Sequence, residues 1–404
     1  MNYICMILDG AYPNDIRVRK EAESLAENGL KVLIVCPRKS GEIQFEFIKG
    51  VEILRIGNNY NNFKKGIFDV IESVTNVNLL FYAELRKVFQ KYDIDFLHVH
   101  DLPLAGTGFL FKSKVKKKLI LDLHENYPEA LKTWFLWKKS LFLRAKNFVF
   151  MNPKIWAKKE QKYSKKYDIV ICVVEEMKQK LISNFSIHSE KLVVVSNHEK
   201  KDFVENFNHE IAQNIIKKDD FSITYVGGFG PHRGLDTVIK AMPKIVKSIP
   251  NAKLFLVGKG TKDVENTLKS IANETQVADF VHFVGHRPFK EVSTIMQVSD
   301  INIIPHKAND HTNNTIPHKL FQIMMSKSLL LVSSCTPLKR IVEKYDAGVV
   351  FEADNENDFS EKVITIFNHK NLFHAKTENA LKAVLEEGEN WENESLRLLK
   401  IYQN

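Results

Sequence analysis

The sequence predicts an α/β protein of two domains, each a mostly parallel sheet with helices on both faces. Three observations lead there. Short apolar runs alternate with helical stretches along most of the chain, the pattern of strand–helix–strand units. Many of those runs end in glycines or polar clusters, as strands do where their carboxyl ends border a ligand crevice. At 404 residues the chain is too long for one core and suggests two, or at most three. A hydrophobic content of 44% and a charged content of 26% are ordinary for a globular protein. No run of about 18 apolar residues occurs, so no membrane-spanning helix is expected. The opening MNYICMILDG lacks a basic start and a cleavage site, and is expected to be a strand rather than a signal peptide. Cys5, Cys36, Cys172 and Cys335 have neither metal spacing nor a disulfide framework, which points to the reducing cytoplasm.

In order, Tyr3–Leu8 is the first strand and Asp9-Gly10 its loop. Asp15–Asn28 has helical spacing and Gly29 follows as its stop. Lys31–Cys36 is a second buried strand, and Val51–Ile56 a third. Phe68–Tyr92 is expected to be one long helix. The strand Ile94–Val99 ends in a cluster with His98, His100 and Asp101, and the strand Leu119–Leu123 ends in His124-Glu125. Trp134–Phe150 mixes aromatics with lysines, and Ile155–Lys166 is helical and basic. Ile169–Val174 and Lys191–Val195 are strands, with Glu175-Glu176 placed to complement a helix dipole between them. The polar stretch from Glu199 to Asp220 marks the domain boundary.

A second set begins with the strand Ser222–Val226 and the glycine-rich Gly227–Gly234, followed by a helix over 235–246. Lys253–Val257, Val281–Val284, Ile301–Ile304, Leu329–Val332 and Gly348–Phe351 are further strands, with helices between them. Trp391, Ser395, Leu398 or Leu399, and Tyr402 share one face of a terminal helix.

Two segments point to phosphate. After the strand 301–304, Pro305–Met325 is a polar loop that turns at Pro317 into an apolar helix. Free N–H groups and the positive end of the dipole make that start suit an anion. His318 and Lys319 add charge, while Asn314 and Gln322 offer hydrogen bonds to hydroxyls, so the combination fits a sugar nucleotide. In Gly227–Gly234 the glycines permit close backbone approach and Arg233 offers a planar fork. Its Gly228, Gly230, Gly234 spacing is one residue too long for a dinucleotide fingerprint.

His124 at a strand end could donate to a sugar hydroxyl or sit in an ordinary capped loop. The window 112–166 holds 16 Lys or Arg against 4 Asp or Glu, a surplus larger than the net +9 of the chain. It is expected to meet an anionic membrane surface or form a solvated basic face, and not to bind nucleic acid, because no binding module accompanies it. No nucleophile elbow, Walker loop or metal motif is present, and no metal is expected.

These segments together resemble the family 4 glycosyltransferases of the two-Rossmann-domain (GT-B) architecture. The likeness runs through PNDIRVRKEAESLAENGLKVLIVCP, DLHENYP, YVGGFGPHRGLDTVIKAM, LFLVGKG, VHFVGHRPFKEVSTIMQVSDINIIP, PHKLFQIMM and NWENESLRLLKIY. It implies an acceptor-binding domain over 1–198 facing a nucleotide-sugar domain over 199–388 across a cleft. A helix over 389–404 returns to the first domain. It further implies retaining transfer of a hexosyl or N-acetylhexosaminyl group from a nucleoside-diphosphate sugar. UDP is the expected carrier, no cofactor is needed, and the acceptor is a glycan or lipid-linked saccharide of surface polysaccharide synthesis. The enzyme would be cytoplasmic and membrane-peripheral.

By position, catalytic roles fall to His124, Arg233 and Lys319. Donor contacts fall to Gly10, Gly228, Gly230, Arg233, Asn314, Ile316, Pro317, His318, Lys319 and Gln322. The family's paired glutamates match Asn314 and Gln322, amides without charge. Gly228 stands where the first of two diphosphate-binding cations is usual and Arg233 where the second is, with His232 or Lys319 available to compensate. A catalytically silent binding subunit and a sugar-nucleotide epimerase of the same architecture are the alternatives.

Overall fold

The computed structural model describes residues 3–57, 71–134, 151–205 and 207–403. They form two compact units, one of residues 3–57, 71–132, 151–196 and 395–403, the other of 133–134, 197–205 and 207–394.

The first unit is built on eight strands: β1 (Tyr3–Ile7), β2 (Lys31–Pro37), β3 (Phe45–Ile48), β4 (Val51–Ile56), β5 (Ile94–His100), β6 (Lys118–Leu123), β7 (Ile169–Cys172) and β8 (Leu192–Val194). Their order is β3-β4-β2-β1-β5-β6-β7-β8, and only β3 runs antiparallel to its neighbour. Such a sheet is covered on both faces, and every residue of β5 is buried. Helix α1 (Ile16–Glu27) starts where the Asp15 carboxylate accepts from the Val18 N–H, and Gly29 follows it at φ 80.

The helix expected over 68–92 is broken. Residues 71–75 are helical, Asn76 adopts φ 61, and helix α2 spans Leu79–Lys91. The reason is local hydrogen bonding. Asn76 gives its side-chain amide to the carbonyls of Leu102 and Pro103, and Asn78 caps α2 by accepting from Leu80 and Phe81. Two asparagines with these alternatives outcompete helical periodicity. The strand β3 and a helix over His374–Leu385 were not anticipated by the sequence pattern.

The second unit holds β9 (Phe221–Val226), β10 (Ala252–Val257), β11 (Val281–Gly285), β12 (Ile301–Ile304), β13 (Leu329–Ser333) and β14 (Val349–Phe351). Their order is β11-β10-β9-β12-β13-β14, all parallel. Counted from the first strand of the unit this is the doubly wound order 3-2-1-4-5-6, whose direction reverses between β9 and β12. Helix α3 (Leu235–Ser248) packs Leu235, Val238, Ile239, Met242 and Ile245 onto this sheet. Each fully buried side chain of this size contributes roughly 1.5–3 kcal/mol. The helix expected from Leu320 begins two residues earlier, as α4 (His318–Met325), with Pro317 at its cap position. The terminal helix α5 (Trp391–Gln403) places residues 395–403 in the first unit.

Among the described residues, no helix is long and apolar enough to cross a membrane. Of the aromatic–basic run Trp134–Phe150, residues 135–150 lie outside the described residues. Part of the surrounding positive charge is already paired: Lys112 with Asp168 at 2.6 Å, Lys116 with Asp93 at 2.8 Å and Lys117 with Asp95 at 3.8 Å.

Candidate functional site

In a doubly wound sheet, a ligand crevice lies outside the strand ends where the order reverses. In the second unit those ends belong to β9 and β12, and the two segments flagged as phosphate-binding follow them. Gly227–Gly234 leaves β9 and Pro305-His306 leaves β12. The segments touch closely. Gly234 sits at φ 68, and a Cβ there would lie 1.8 Å from the Pro305 carbonyl oxygen, so only glycine fits. Gly228 is different, because the nearest atom to a Cβ there, the Lys259 carbonyl oxygen, is 3.9 Å away, an ordinary contact, so a Cβ would fit without a clash.

The cradle so formed is lined by cations and histidines. Arg233 Nη1 lies 2.9 Å from His306 Nε2. The His232 ring packs edge-on against those of His306 and His311. Lys319, in the first turn of α4, is buried, its Nζ 3.8 Å from the centroid of the Tyr225 ring and without a hydrogen-bond partner among the described residues. Arg233, His232, His306 and Lys319 form no ion pair among the described residues. Burial, and next the Arg233 charge, hold Lys319 well below the usual lysine range. The same causes press His232 down to about 2 and His311 to about 3, and His306 is also held well below its ordinary value. Burial and the Arg233 charge together disfavour protonation throughout this cluster.

The other residues expected at a donor site have partners of their own. The Asn314 amide donates to the Asp310 carbonyl at 2.7 Å. Ile316 is buried and its carbonyl accepts from Asn197 at 2.8 Å. Gln322 donates to the Glu199 carboxylate at 2.7 Å, both side chains being buried. With the His198 ring 4.0 Å from that of Phe321, the three consecutive residues Asn197, His198 and Glu199 grip α4 from its start to its second turn. Gly230 lies beside His232, and Pro317 and His318 open α4. The structure therefore gathers Gly228, Gly230, Arg233, Ile316, Pro317, His318, Lys319 and Gln322 around one helix start and one glycine loop.

His124 and Gly10 belong to the first unit, Gly10 in the loop between β1 and α1. His124 follows β6 and is held by two carboxylates. Its Nδ1 is 3.3 Å from Asp101 Oδ2, its Nε2 3.3 Å from Asp122 Oδ2, and its backbone N–H donates to Asp101 Oδ1. Asp101 takes φ 64 and ψ 162, a backbone conformation that costs a non-glycine residue about 1–3 kcal/mol and persists only where surroundings enforce it. Burial opposes a charge on His124, yet the two carboxylates outweigh it and raise its pKa to about 10. His124 is therefore an imidazolium, a donor from both nitrogens and no general base at neutral pH.

Asp122 is the hub of this region. Arg17 binds it through Nε at 3.0 Å and Nη2 at 2.9 Å, and also pairs with Glu21 at 3.1 Å. The ligating atoms of Glu21, His98, His100 and Asp122 all lie within 4.8 Å of one another, a spacing a metal ion could use. The chemistry does not fit one, because the Arg17 fork already takes both Asp122 oxygens and places a fixed positive charge beside the quartet. Sequence reasoning named His98, His100, Asp101 and His124 and missed Asp122, Arg17, Glu21, Glu199, His306 and His311. One signal was available: a lone aspartate inside the apolar run LILDL.

Two units, each built on a doubly wound and mostly parallel sheet, define a two-domain α/β architecture. Comparison with known proteins narrows it. The model described as Glycosyltransferase Family 4 matches residues 16–198, and that described as Glycosyl transferases group 1 matches residues 206–383. The chain belongs to this glycosyltransferase family. An uncharacterised glycosyltransferase of Methanocaldococcus jannaschii is 21% identical over 358 residues, covering 86% of this chain and 85% of its own. Among solved structures, sucrose-phosphate synthase from Thermosynechococcus elongatus superposes with a TM-score of 0.79 at 15% identity, covering 100% of this chain and 98% of its own. Anabaena HepE in complex with UDP-glucose superposes with a TM-score of 0.74 at 12% identity, covering 100% of both chains.

Proposed function

We propose that the protein transfers a hexosyl or N-acetylhexosaminyl group, with retention, from a nucleoside-diphosphate sugar to a glycan or lipid-linked acceptor of surface polysaccharide. One observation carries this reading: Lys319, a buried side chain without a hydrogen-bond partner among the described residues, lies with Arg233 at a helix start where none of the described carboxylates pairs with either. A diphosphate would satisfy both. Its developing negative charge on departure would be met by Arg233, Lys319 and the N–H groups opening α4. These cations can perform that stabilisation without a metal ion. Gln322, one turn beyond Lys319 on the same face of α4, is placed for the ribose hydroxyls. By family pattern His124 is assigned to the transferred sugar; with both ring nitrogens already on carboxylates, it would act there through its positive charge. UDP is the carrier we favour, in keeping with the UDP-glucose bound by HepE. The lysines of 112–166 that are not already paired would hold the enzyme to an anionic membrane surface on the cytoplasmic side.

Titration calorimetry with UDP, GDP and ADP, followed by a donor screen with lipid-linked acceptors in the presence and absence of anionic vesicles, tests this reading. Binding of one nucleotide and release of nucleoside diphosphate are expected. Binding of none of the three would overturn it. A second reading, a catalytically silent binding subunit, is favoured by one feature. The two amides at the glutamate positions are turned onto Asp310 and Glu199. Tight nucleotide binding without turnover on any donor would decide for it.

A further inference from the structure

The first unit contains a buried line of side chains that the transfer reaction above does not use. Side chains alternate along a strand, so Phe96, His98 and His100 of β5 share one face. His100 is in register with Asp122 of β6, which puts Asp122 on that face and His124 two residues further along it. Residues 395–403 of α5 belong to the same unit. The Tyr402 ring packs edge-on against Phe96 at 5.0 Å, and its hydroxyl lies 2.6 Å from His98 Nδ1. The His98 ring stacks on His100 at 4.2 Å, and His100 Nδ1 is 3.1 Å from His124 Nε2. Contact is thus continuous from the last helix to His124, and Tyr402, His98, His100 and Asp122 are all buried.

We propose that Tyr402 is a positioning residue for His124: by donating to His98 Nδ1 it fixes the tautomer whose Nε2–H is turned toward Asp122, and so supports the carboxylate that holds His124 as a cation. Burial keeps the Tyr402 hydroxyl protonated and so able to donate, and the carboxylates of Asp122 and Glu21 beside His98 Nε2 favour the tautomer in which Nδ1 accepts from it. His98 is neutral, its pKa lowered by burial, and its proton therefore sits on the nitrogen Tyr402 leaves free. That nitrogen is 3.8 Å from Asp122 Oδ2 and 4.0 Å from Glu21 Oε2, close enough for its dipole to favour a carboxylate charge. The other tautomer would aim a lone pair at the same oxygens. The groups facing His98 and His124 are Arg17 and Glu21 from α1, His100 and Asp101 at the end of β5, Asp122 from β6 and Tyr402 from α5. Arg17 supports the Asp122 charge directly, so the tyrosine adjusts that charge rather than creating it.

This inference rests on the proposed role of His124 only for its catalytic consequence. The protonation of His124 is measurable without any donor. The experiment is an NMR titration of histidine-labelled full-length protein, with His124→Gln assigning the resonance. In Tyr402→Phe the His124 pKa is expected to fall by about one unit, and the alkaline limb of the pH–activity profile to move with it. The KM for the nucleotide sugar should stay unchanged. Phe96→Leu, which removes ring packing and leaves the hydroxyl in place, should lower the melting temperature without moving the His124 titration. An unaltered His124 titration in Tyr402→Phe overturns the proposal. Where Tyr402→Phe yields no folded protein, His98→Gln is titrated instead, with the same fall expected and the same null result decisive. Absence of nucleotide binding would remove the proposed function and leave the NMR result standing.

Discussion

Lys319 carries the clearest residue-scale consequence. Burying an ammonium without a counter-charge costs several kcal/mol, and the cheaper state is the neutral amine. Burial and the Arg233 charge push its pKa well below 10.5, and His232 is pressed to about 2. A dianionic diphosphate reverses the balance, because an opposite charge within a few ångströms favours the protonated form. Nucleotide binding should therefore take up protons. Calorimetry at one pH in buffers of different ionisation enthalpy measures this directly, and an observed enthalpy independent of buffer would sink the idea. Lys319→Met should weaken nucleotide binding by roughly 10²-fold, about 2–3 kcal/mol. It should also raise the melting temperature of the nucleotide-free protein, since the variant no longer buries an unsatisfied amine.

At the scale of the element, α4 was legible only from its own side. Pro317, the polar loop before it and the apolar run after it located a helix start. The partner of Gln322 was invisible, because Glu199 lies 123 positions away and only the fold brings it within 2.7 Å. That pair changes what a glutamate at position 322 would do. By family pattern Gln322→Glu restores an acid, but here it sets two buried carboxylates against each other, which cannot both ionise at that distance. The single variant should lose about 1–3 kcal/mol of stability and gain no nucleotide affinity. Exchanging the partners in the double variant Glu199→Gln/Gln322→Glu re-forms the hydrogen bond and should recover most of the loss. Melting temperatures of the two singles and the double close this cycle. A fully additive double variant would mean that the pair is not coupled. The broken helix at Asn76 teaches the same lesson from the opposite side. Apolar periodicity marked helix on both flanks, and the competing hydrogen bonds of Asn76 run to carbonyls 26 and 27 residues away.

Across the whole molecule, the alternation of apolar runs and helices sufficed for two doubly wound sheets, since each strand is marked locally. The buried charge network was not, because its members are spread from Arg17 to Tyr402 and each one alone reads as an ordinary surface or cap residue. That network, with the histidines of the second unit, sets how stability depends on pH. His232 and His311 are lowered from 6.5 to about 2 and about 3, and His98, His100 and His306 are lowered as well. Groups with depressed folded values contribute stability that is present above their unfolded pKa and lost as pH falls. Glu21 is raised from 4.5 to about 8 and His124 from 6.5 to about 10, so their contributions are present at low pH and lost as pH rises through those values. Between pH 4.5 and 6.5 the unfolded chain binds more protons, through several histidines against the one held by Glu21, and stability climbs with pH. From 6.5 to 8 the unfolded histidines are neutral, while the folded chain keeps the protons of Glu21 and His124. The lowered pKa of Lys319 works against that retention, so stability declines only gently with pH over this range. The melting temperature of the nucleotide-free protein should therefore peak between about pH 6 and 7, with the acid side the steeper. Scanning calorimetry from pH 5 to 8 checks this, and a melting temperature at pH 5 equal to or above that at pH 7 would show that the buried histidines are not held neutral.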